Sequence, residues 1–381
     1  MNLPEKLFVK YHGDTVGILS MSPDNTRCLF QYDRKWLNQG FSISPLELPL
    51  KEGLFVPKTN VFYGNFGIFE DSMPDGYGNY LLDRILKKYG LSLADMTPVE
   101  RLSFVGASGM GALVYEPETR LNSHADEMTL DQMQEEALNV LSEKDSSKVD
   151  TLYYNSGNSG GCRPKCIWNN EEGSWVVKFR HEYDPEDCGK QEYISMAMAE
   201  LCGITIPEIR LFSGKYFGSK RFDIENGQRL HVATAAALLG ESIQQPMMDY
   251  RKLIRFTKAL TEKAEYAREL FRRMIFNFEI GNNDDHAKNF SFICRDGLWE
   301  LAPAYDITEC RNAYHGCHAS LVNGKDFPET KDFLLAAEDA GLTHDEASEI
   351  IHNIHEEVKN GYPNSLPDDD FPPKIRHPKK P

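Results

Sequence analysis

Residues Gly281–Asp306 read GNNDDHAKNFSFICRDGLWELAPAYD, and this stretch decides the fold. It opens where a helix must end. Ala264 to Ile280 carries Leu270, Met274, Ile275 and Phe278 at helical spacing, and Gly281 is the residue type that closes helices in a left-handed conformation. Asp284 and Asn289 then fall in a loop. FSFIC and LWELA follow as two short strands around Arg295, Asp296 and Gly297, a hairpin pattern, and the run closes on Asp306.

Phosphoryl transfer from ATP needs an aspartate to orient the attacking hydroxyl and accept its proton. It also needs an asparagine and a second aspartate to hold magnesium against the phosphates. The order Asp, Asn, hairpin, Asp has the arrangement of protein kinases, and the Asp-to-Asn spacing matches their catalytic loop. Asp284 is therefore the expected catalytic carboxylate, with Asn289 and Asp306 as magnesium ligands. His286 lies between them and can hold the loop by donating to a carboxylate or carbonyl, so it is grouped with the catalytic set. Lys288 is within reach of the phosphates, or else solvated. The bland alternative is that Asp284 and Asp285 only turn the chain after a helix. The apolar helix before the loop and the hairpin after it weigh against that alternative.

Upstream, Lys178 sits inside the apolar run Trp175 to Phe179, where a lysine is costly unless paired or functional. An ATP-phosphate lysine paired with Glu192 on the next helix meets that demand; the alternative is an edge-strand lysine whose head reaches solvent. Before it comes SGNSGGCRPK, Ser156 to Lys165, flanked on the expectation by strands. Ser159, Gly160 and Gly161 allow close backbone approach to phosphate, and Arg163 and Lys165 add positive charge. This is not a Walker A sequence.

The chain has 381 residues, and 41% hydrophobic with 26% charged residues is ordinary for soluble globular domains. A net charge of -16 disfavours strong direct binding to nucleic acid, so any link to DNA would run through a partner. No apolar run is long enough to span a bilayer and the start lacks a secretory pattern, which predicts a cytoplasmic protein with no membrane partner. The eight cysteines are scattered, which predicts reduced thiols rather than a disulfide framework. His315, Cys317 and His318 offer too few ligands for a closed zinc site.

Composition and periodicity divide the chain into a small α+β unit over 1–117 and a polar connector over 118–149 with one helix near Gln132 to Leu141. A glycine-loop lobe is expected over 150–241, a helical lobe over 242–366 and a loose tail over 367–381. Ile204 to Phe212 reads as one strand.

Taken together, the residues resemble the HipA family of bacterial serine/threonine kinases, the toxins of HipBA-type toxin-antitoxin pairs. The resemblance is carried by GNNDDHAKNFSF with AYDIT downstream, by SGGCRPK, WVVKF, QEYISMAMAELCGITIPE and SKRFD, and over the N-terminal part by VGILS, MPDGYGNYLLDRIL and VGASGMGALVYEP. It implies an α+β, two-lobed protein-kinase-like fold with a small N-terminal α+β subdomain and a mostly helical C-terminal lobe. It further implies ATP and magnesium as cofactors, Lys178 as the phosphate lysine, and Phe222 and Asp223 near the adenine. Autophosphorylation of a loop serine, Ser156 or Ser159, a HipB-like DNA-binding antitoxin and an aminoacyl-tRNA synthetase as protein substrate also belong to what the resemblance implies. Two rival readings remain: a small-molecule or lipid kinase, and a kinase-shaped binding protein with little turnover.

Overall fold

The computed structural model describes residues 3–121, 127–144, 146–156, 161–242 and 244–361. The chain begins with β1 (Lys6–Tyr11), β2 (Asp14–Met21) and β3 (Cys28–Tyr32), followed by α1 (Arg34–Gln39), α2 (Gly67–Glu70), α3 (Gly76–Lys87), α4 (Pro98–Val105) and β4 (Leu113–Glu116). The first four strands form an antiparallel sheet in the order β3-β2-β1-β4. Alternation dictates its sidedness: Leu7, Val9, Phe30, Tyr32 and Tyr115 are buried on one face, whereas Phe8 and Ile18 are cross-strand neighbours on the other. A capping box, Thr97 with Glu100, starts α4.

Next come α5 (Leu130–Leu141) and α6 (Val149–Ser156), then β5 (Lys165–Asn170), β6 (Gly173–Lys178), α7 (Cys188–Leu201), β7 (Ile209–Phe212) and β8 (Tyr216–Lys220). These strands form a second antiparallel sheet, β5-β6-β8-β7, which makes β6 an interior strand. The minor strands β9 (Ile224–Glu225) and β10 (Gln228–Arg229) pair with each other. The remainder comprises β11 (His231–Thr234), α8 (Ala235–Leu239), β12 (Met248–Asp249), α9 (Tyr250–Thr261), α10 (Ala264–Ile280), β13 (Ser291–Arg295), β14 (Leu298–Leu301), β15 (Ser320–Leu321), α11 (Thr330–Asp339) and α12 (His344–Gly361).

Two apolar cores organise these elements. One joins the N-terminal sheet to the helical lobe: Val9, Phe30 and Tyr115 belong to the same cluster as Leu270, Phe271, Met274 and Phe276 of α10. Each such side chain contributes on the order of 1.5–3 kcal/mol relative to exposure. The other core packs Leu81, Leu82, Ile85 and Leu86 of α3 with α5, α6 and the second sheet, through Cys166, Trp175 and Val177. The N-terminal part is thus attached to both lobes by different elements.

Three expectations change. The stretch 118–149 does more than connect: Leu130, Met133, Ala137 and Val140 of α5 are buried in the second core. A helix, α6, precedes the glycine-rich segment where a strand was expected, because Leu152 and Tyr153 have an apolar partner in α3 that local pattern does not reveal. The strand expected over Ile204 to Phe212 is confined to β7, since the amide of Thr205 is committed to the Glu269 carboxylate (2.9 Å) rather than to a sheet.

Candidate active site

α10 delivers the loop that carries the candidate catalytic residues. Its last turn is closed by Gly281 at φ +71°, a left-handed conformation that favours glycine. Beneath the loop runs a buried polar network. Asp285 accepts from the Tyr250 hydroxyl at 2.8 Å and the Ser320 amide at 3.1 Å, with His318 Nδ1 at 3.2 Å. Asn277 donates to Tyr250 Oη at 2.9 Å and accepts from Asn282 at 3.0 Å. A half-satisfied network of this kind would be costly, and here its carboxylate is engaged on both oxygens.

With Asp285 turned inward, Asp284 faces the cleft. Its carboxyl is held above its ordinary range chiefly by burial, with the Asp306 charge adding to this; His286 and a hydrogen bond from Tyr314 oppose it. His286 Nε2 lies 3.7 Å from Asp284 Oδ1, and its buried Nδ1 has no hydrogen-bond partner among the described residues. Asn289 donates its amide to the Asp284 carbonyl at 2.7 Å, which ties the two ends of the loop and leaves Oδ1 for other use. Tyr314 and His315 both adopt left-handed backbone, at φ 45° and 59°, a conformation that costs non-glycine residues energy.

Asp306 approaches from the other side of the hairpin. The strands β13 and β14 pair with Arg295 opposite Leu298, and the turn takes Asp296 and Gly297 through φ 50° and 90°, as a tight hairpin requires. Beyond it Arg273, paired with Glu269 at 3.1 Å, donates to the Ala302 carbonyl at 2.9 Å, and Ala304 donates to Thr205 at 2.8 Å. Asp306 itself sits at φ 57°.

Its carboxylate meets Lys178, the last residue of β6. The Lys178 ammonium is also bonded to Glu192 of α7 at 2.5 Å, and the Lys178 and Glu192 side chains are only 14% and 3% exposed. Burial alone would raise the Asp306 carboxyl, yet Lys178 and then Lys165 hold it far below the carboxylate range. Burial would likewise lower Lys178, but Asp306 and Glu192 raise it. Glu192 is raised, mainly by burial. The interior position of β6 excludes the edge-strand reading of Lys178.

Lys165 is buried and its ammonium lies where a Cβ on Gly161 would be 2.5 Å away. Burial and then the Lys178 charge lower its pKa. Arg163 pairs with Asp184 at 3.0 Å. Ser156, at the end of α6, is buried and donates to the Tyr153 carbonyl at 2.9 Å. Ser159 and Gly160 lie outside the described residues. Phe222 stacks on Tyr305, centroids 5.6 Å apart, one residue from Asp306. Asp223 is turned away from the cleft into a junction with the N-terminal part. It pairs with Arg221 at 2.7 Å and accepts the Gly111 amide at 2.9 Å. His318, which stacks on Phe278 and leans on Asp285, belongs to the loop support. No group of three or more metal-binding side chains of the His, Cys, Asp and Glu types occurs among the described residues.

Residues 157–362 match the family model described as the HipA-like C-terminal domain, and residues 7–116 match the one described as the HipA N-terminal domain. The chain belongs to the HipA family. It is 22% identical over 351 residues to the serine/threonine-protein kinase toxin HipA of Shewanella oneidensis, covering 81% of this chain and 76% of that one. Y4dM, a candidate kinase of Sinorhizobium fredii, is 25% identical over 360 residues, 87% of this chain and 83% of its own. In structure the chain is similar to HipA in the Shewanella oneidensis complex of HipA, HipB and operator DNA, with a TM-score of 0.69 at 17% identity over 95% of this chain and 92% of that chain. The expected architecture holds: a two-lobed, kinase-like α+β fold with an N-terminal α+β unit. At the family level this is a HipA-type, kinase-like protein. Among the described residues no helix is long and apolar enough to cross a membrane.

Sequence reasoning passed over the supports of this HipA-type site. Asp285 had a signal in the doublet Asp284–Asp285, but which of two adjacent carboxylates turns inward depends on Tyr250 and Ser320. Asp75, which binds Lys288 at 2.7 Å, reads in sequence as an ordinary helix cap before Gly76.

Proposed function

We propose that the chain is an ATP- and magnesium-dependent protein kinase that phosphorylates serine or threonine hydroxyls. The observation that carries this reading is the meeting, in one cleft, of a buried Lys178–Glu192 pair with Asp306 and with the loop that bears Asp284 and Asn289. Magnesium-bound ATP supplies the transferable phosphoryl group and the divalent charge that neutralises it. Asp306 and Asn289 present the hard oxygen donors that suit magnesium, and the Lys178 ammonium already stands as a cation on Asp306. Asp284, with a raised pKa, orients the acceptor hydroxyl and takes its proton. On this reading Lys178, Lys165, Arg163 and Gly161 serve the phosphate side, and the Phe222–Tyr305 stack offers a flat surface for a purine.

By its family we read the chain as a toxin held by a HipB-like DNA-binding antitoxin, and its acceptor as a protein of translation, an aminoacyl-tRNA synthetase being the family's example. The charge of -16 fits DNA contact made through the partner. Phosphorylation of Ser159 or Ser156 would shut the enzyme down by adding close to two negative charges to the phosphate cradle. Ser156 is buried against Tyr153, so its modification requires α6 to fray first.

Labelled ATP offered in turn to lysate proteins, lipids and aminoglycosides tests the reading. Transfer to proteins is expected, with Asp284→Asn lowering it by about 10²–10⁴-fold while ATP binding persists. Wild-type turnover in Asp284→Asn would remove Asp284 from its role, and transfer to the small acceptors alone would replace the protein-kinase reading.

A further inference from the structure

Asp75 occupies the N-cap of α3 yet makes no side-chain bond to its own helix. One carboxylate oxygen instead pairs with the Lys288 ammonium at 2.7 Å, and the other accepts the Gly161 amide at 2.9 Å. Lys288 neighbours Asn289 in the catalytic loop, and Gly161 stands in the glycine-rich segment. A single carboxylate therefore spans the two sides of the cleft. The backbone follows it: Tyr77 donates to the Gly161 carbonyl at 3.5 Å, and a Cβ on Gly76 would lie 2.9 Å from Cys162 Sγ and 3.2 Å from Cys162 Cα.

Each end is anchored in a different lobe. The body of α3 is buried against the second sheet through Leu81, Leu82 and Ile85, so it moves with the glycine-rich side. On the helical side the Lys288 carbonyl accepts the Tyr305 hydroxyl at 2.6 Å, and Tyr305 Oη also lies 2.6 Å from Ser291 Oγ. The Asp75 and Lys288 side chains are 22% and 15% exposed, so their charge-assisted bond is sheltered from solvent. Burial would raise Asp75, but Lys288 overrides it and holds the carboxylate ionised.

We infer that Asp75 is a positioning residue for phosphoryl transfer: by binding Gly161 and Lys288 with one carboxylate, the N-terminal domain sets the spacing between the phosphate cradle and the catalytic loop. This rests on the kinase reading above. Misplacement of reacting groups by about 1 Å can cost on the order of 10²-fold in rate, which gives a single strut that much leverage.

The test compares full-length wild type, Asp75→Asn, Asp75→Glu, Lys288→Met and the Asp75→Asn/Lys288→Met double variant. Turnover is counted per MgATP-binding site, with sites titrated by calorimetry, so that loss of folded protein does not register as loss of rate. Asp75→Asn is expected to lower kcat per site by about 10- to 100-fold with a smaller change in ATP affinity. Asp75→Glu should recover part of that loss, and the double variant should fall no further than the worse single one. Amide hydrogen exchange should quicken at Gly161 and over 284–290 in Asp75→Asn. A kcat per site within about twofold of wild type, or losses that multiply in the double variant, overturns the assignment. Should wild type neither bind MgATP nor transfer phosphate, the kinase reading fails and the catalytic role of Asp75 with it; the exchange measurement then reports the strut alone.

Discussion

The ammonium of Lys178 reaches the carboxylate of Asp306, 128 residues further along the chain, while its other bond holds Glu192 of α7. Two carboxylates, the buried Glu192 on a helix and the partly exposed Asp306 on a post-hairpin loop, thus share one ammonium from an interior strand. Removing it leaves the buried Glu192 carboxylate without its counter-charge, beside the partly exposed Asp306. Lys178→Met is expected to destabilise the fold by about 3–5 kcal/mol at neutral pH, as breaking buried pairs does. Denaturant unfolding checks this, and an unchanged midpoint would show that the pair contributes nothing net. ATP affinity should fall in the same variant.

Asp306→Ala and Asn289→Ala each remove an oxygen donor expected to face magnesium. Calorimetric titration with ATP should show wild-type affinity dropping on chelation, and both variants should lose most of that magnesium dependence. Equal ATP affinity with magnesium and with chelator, in variants and wild type alike, would refute the metal roles.

His231 of β11 carries the pH prediction. It is fully buried, bonded through Nε2 to the Ile43 carbonyl at 2.8 Å, and burial pushes its pKa down to about 4. The unfolded chain binds this proton near pH 6.5, so between those values the unfolded state holds more protons than the native one. The contribution is complete above the unfolded pKa and is lost as pH falls from about 6.5 towards 4, up to roughly 3 kcal/mol. His231→Gln should flatten the decline of unfolding free energy measured over that window. Parallel pH profiles for the variant and wild type would count against it. Because Ile43 belongs to the N-terminal part, the junction between β11 and that part should loosen first in acid.

Gly189 in the first turn of α7 lies where a Cβ would be 2.2 Å from the Lys215 carbonyl oxygen and 3.0 Å from the Phe217 nitrogen. Neither backbone atom can yield cheaply, so Gly189→Ala should cost at least about 1–3 kcal/mol and displace α7 from the sheet. Glu192 follows one turn later, so a lowered Tm should come with weakened ATP binding. A variant as stable as wild type would show that the helix start can shift freely.

The segment over 281–306 was legible because its signals are local. The apolar spacing of α10, the glycine that ends it, the Asp-to-Asn loop and the tight turn at Asp296–Gly297 each depend on a few neighbouring residues, and each appears where the spacing predicts it. A lysine inside an apolar strand likewise announced a partner, and Glu192 is that partner. Other features are set by packing between distant segments. Whether Asp223 faces nucleotide or the Gly111 amide, and whether 118–149 is linker or core, turns on which surfaces the N-terminal sheet and α3 cover. The choice of Asp75 to bind Lys288, 213 residues away, rather than cap its own helix is of the same kind. Periodicity and turn chemistry determine what each segment can form. Only the closed core decides which buried charges meet, because a carboxylate withdrawn from water must take whichever donors the packing brings to it.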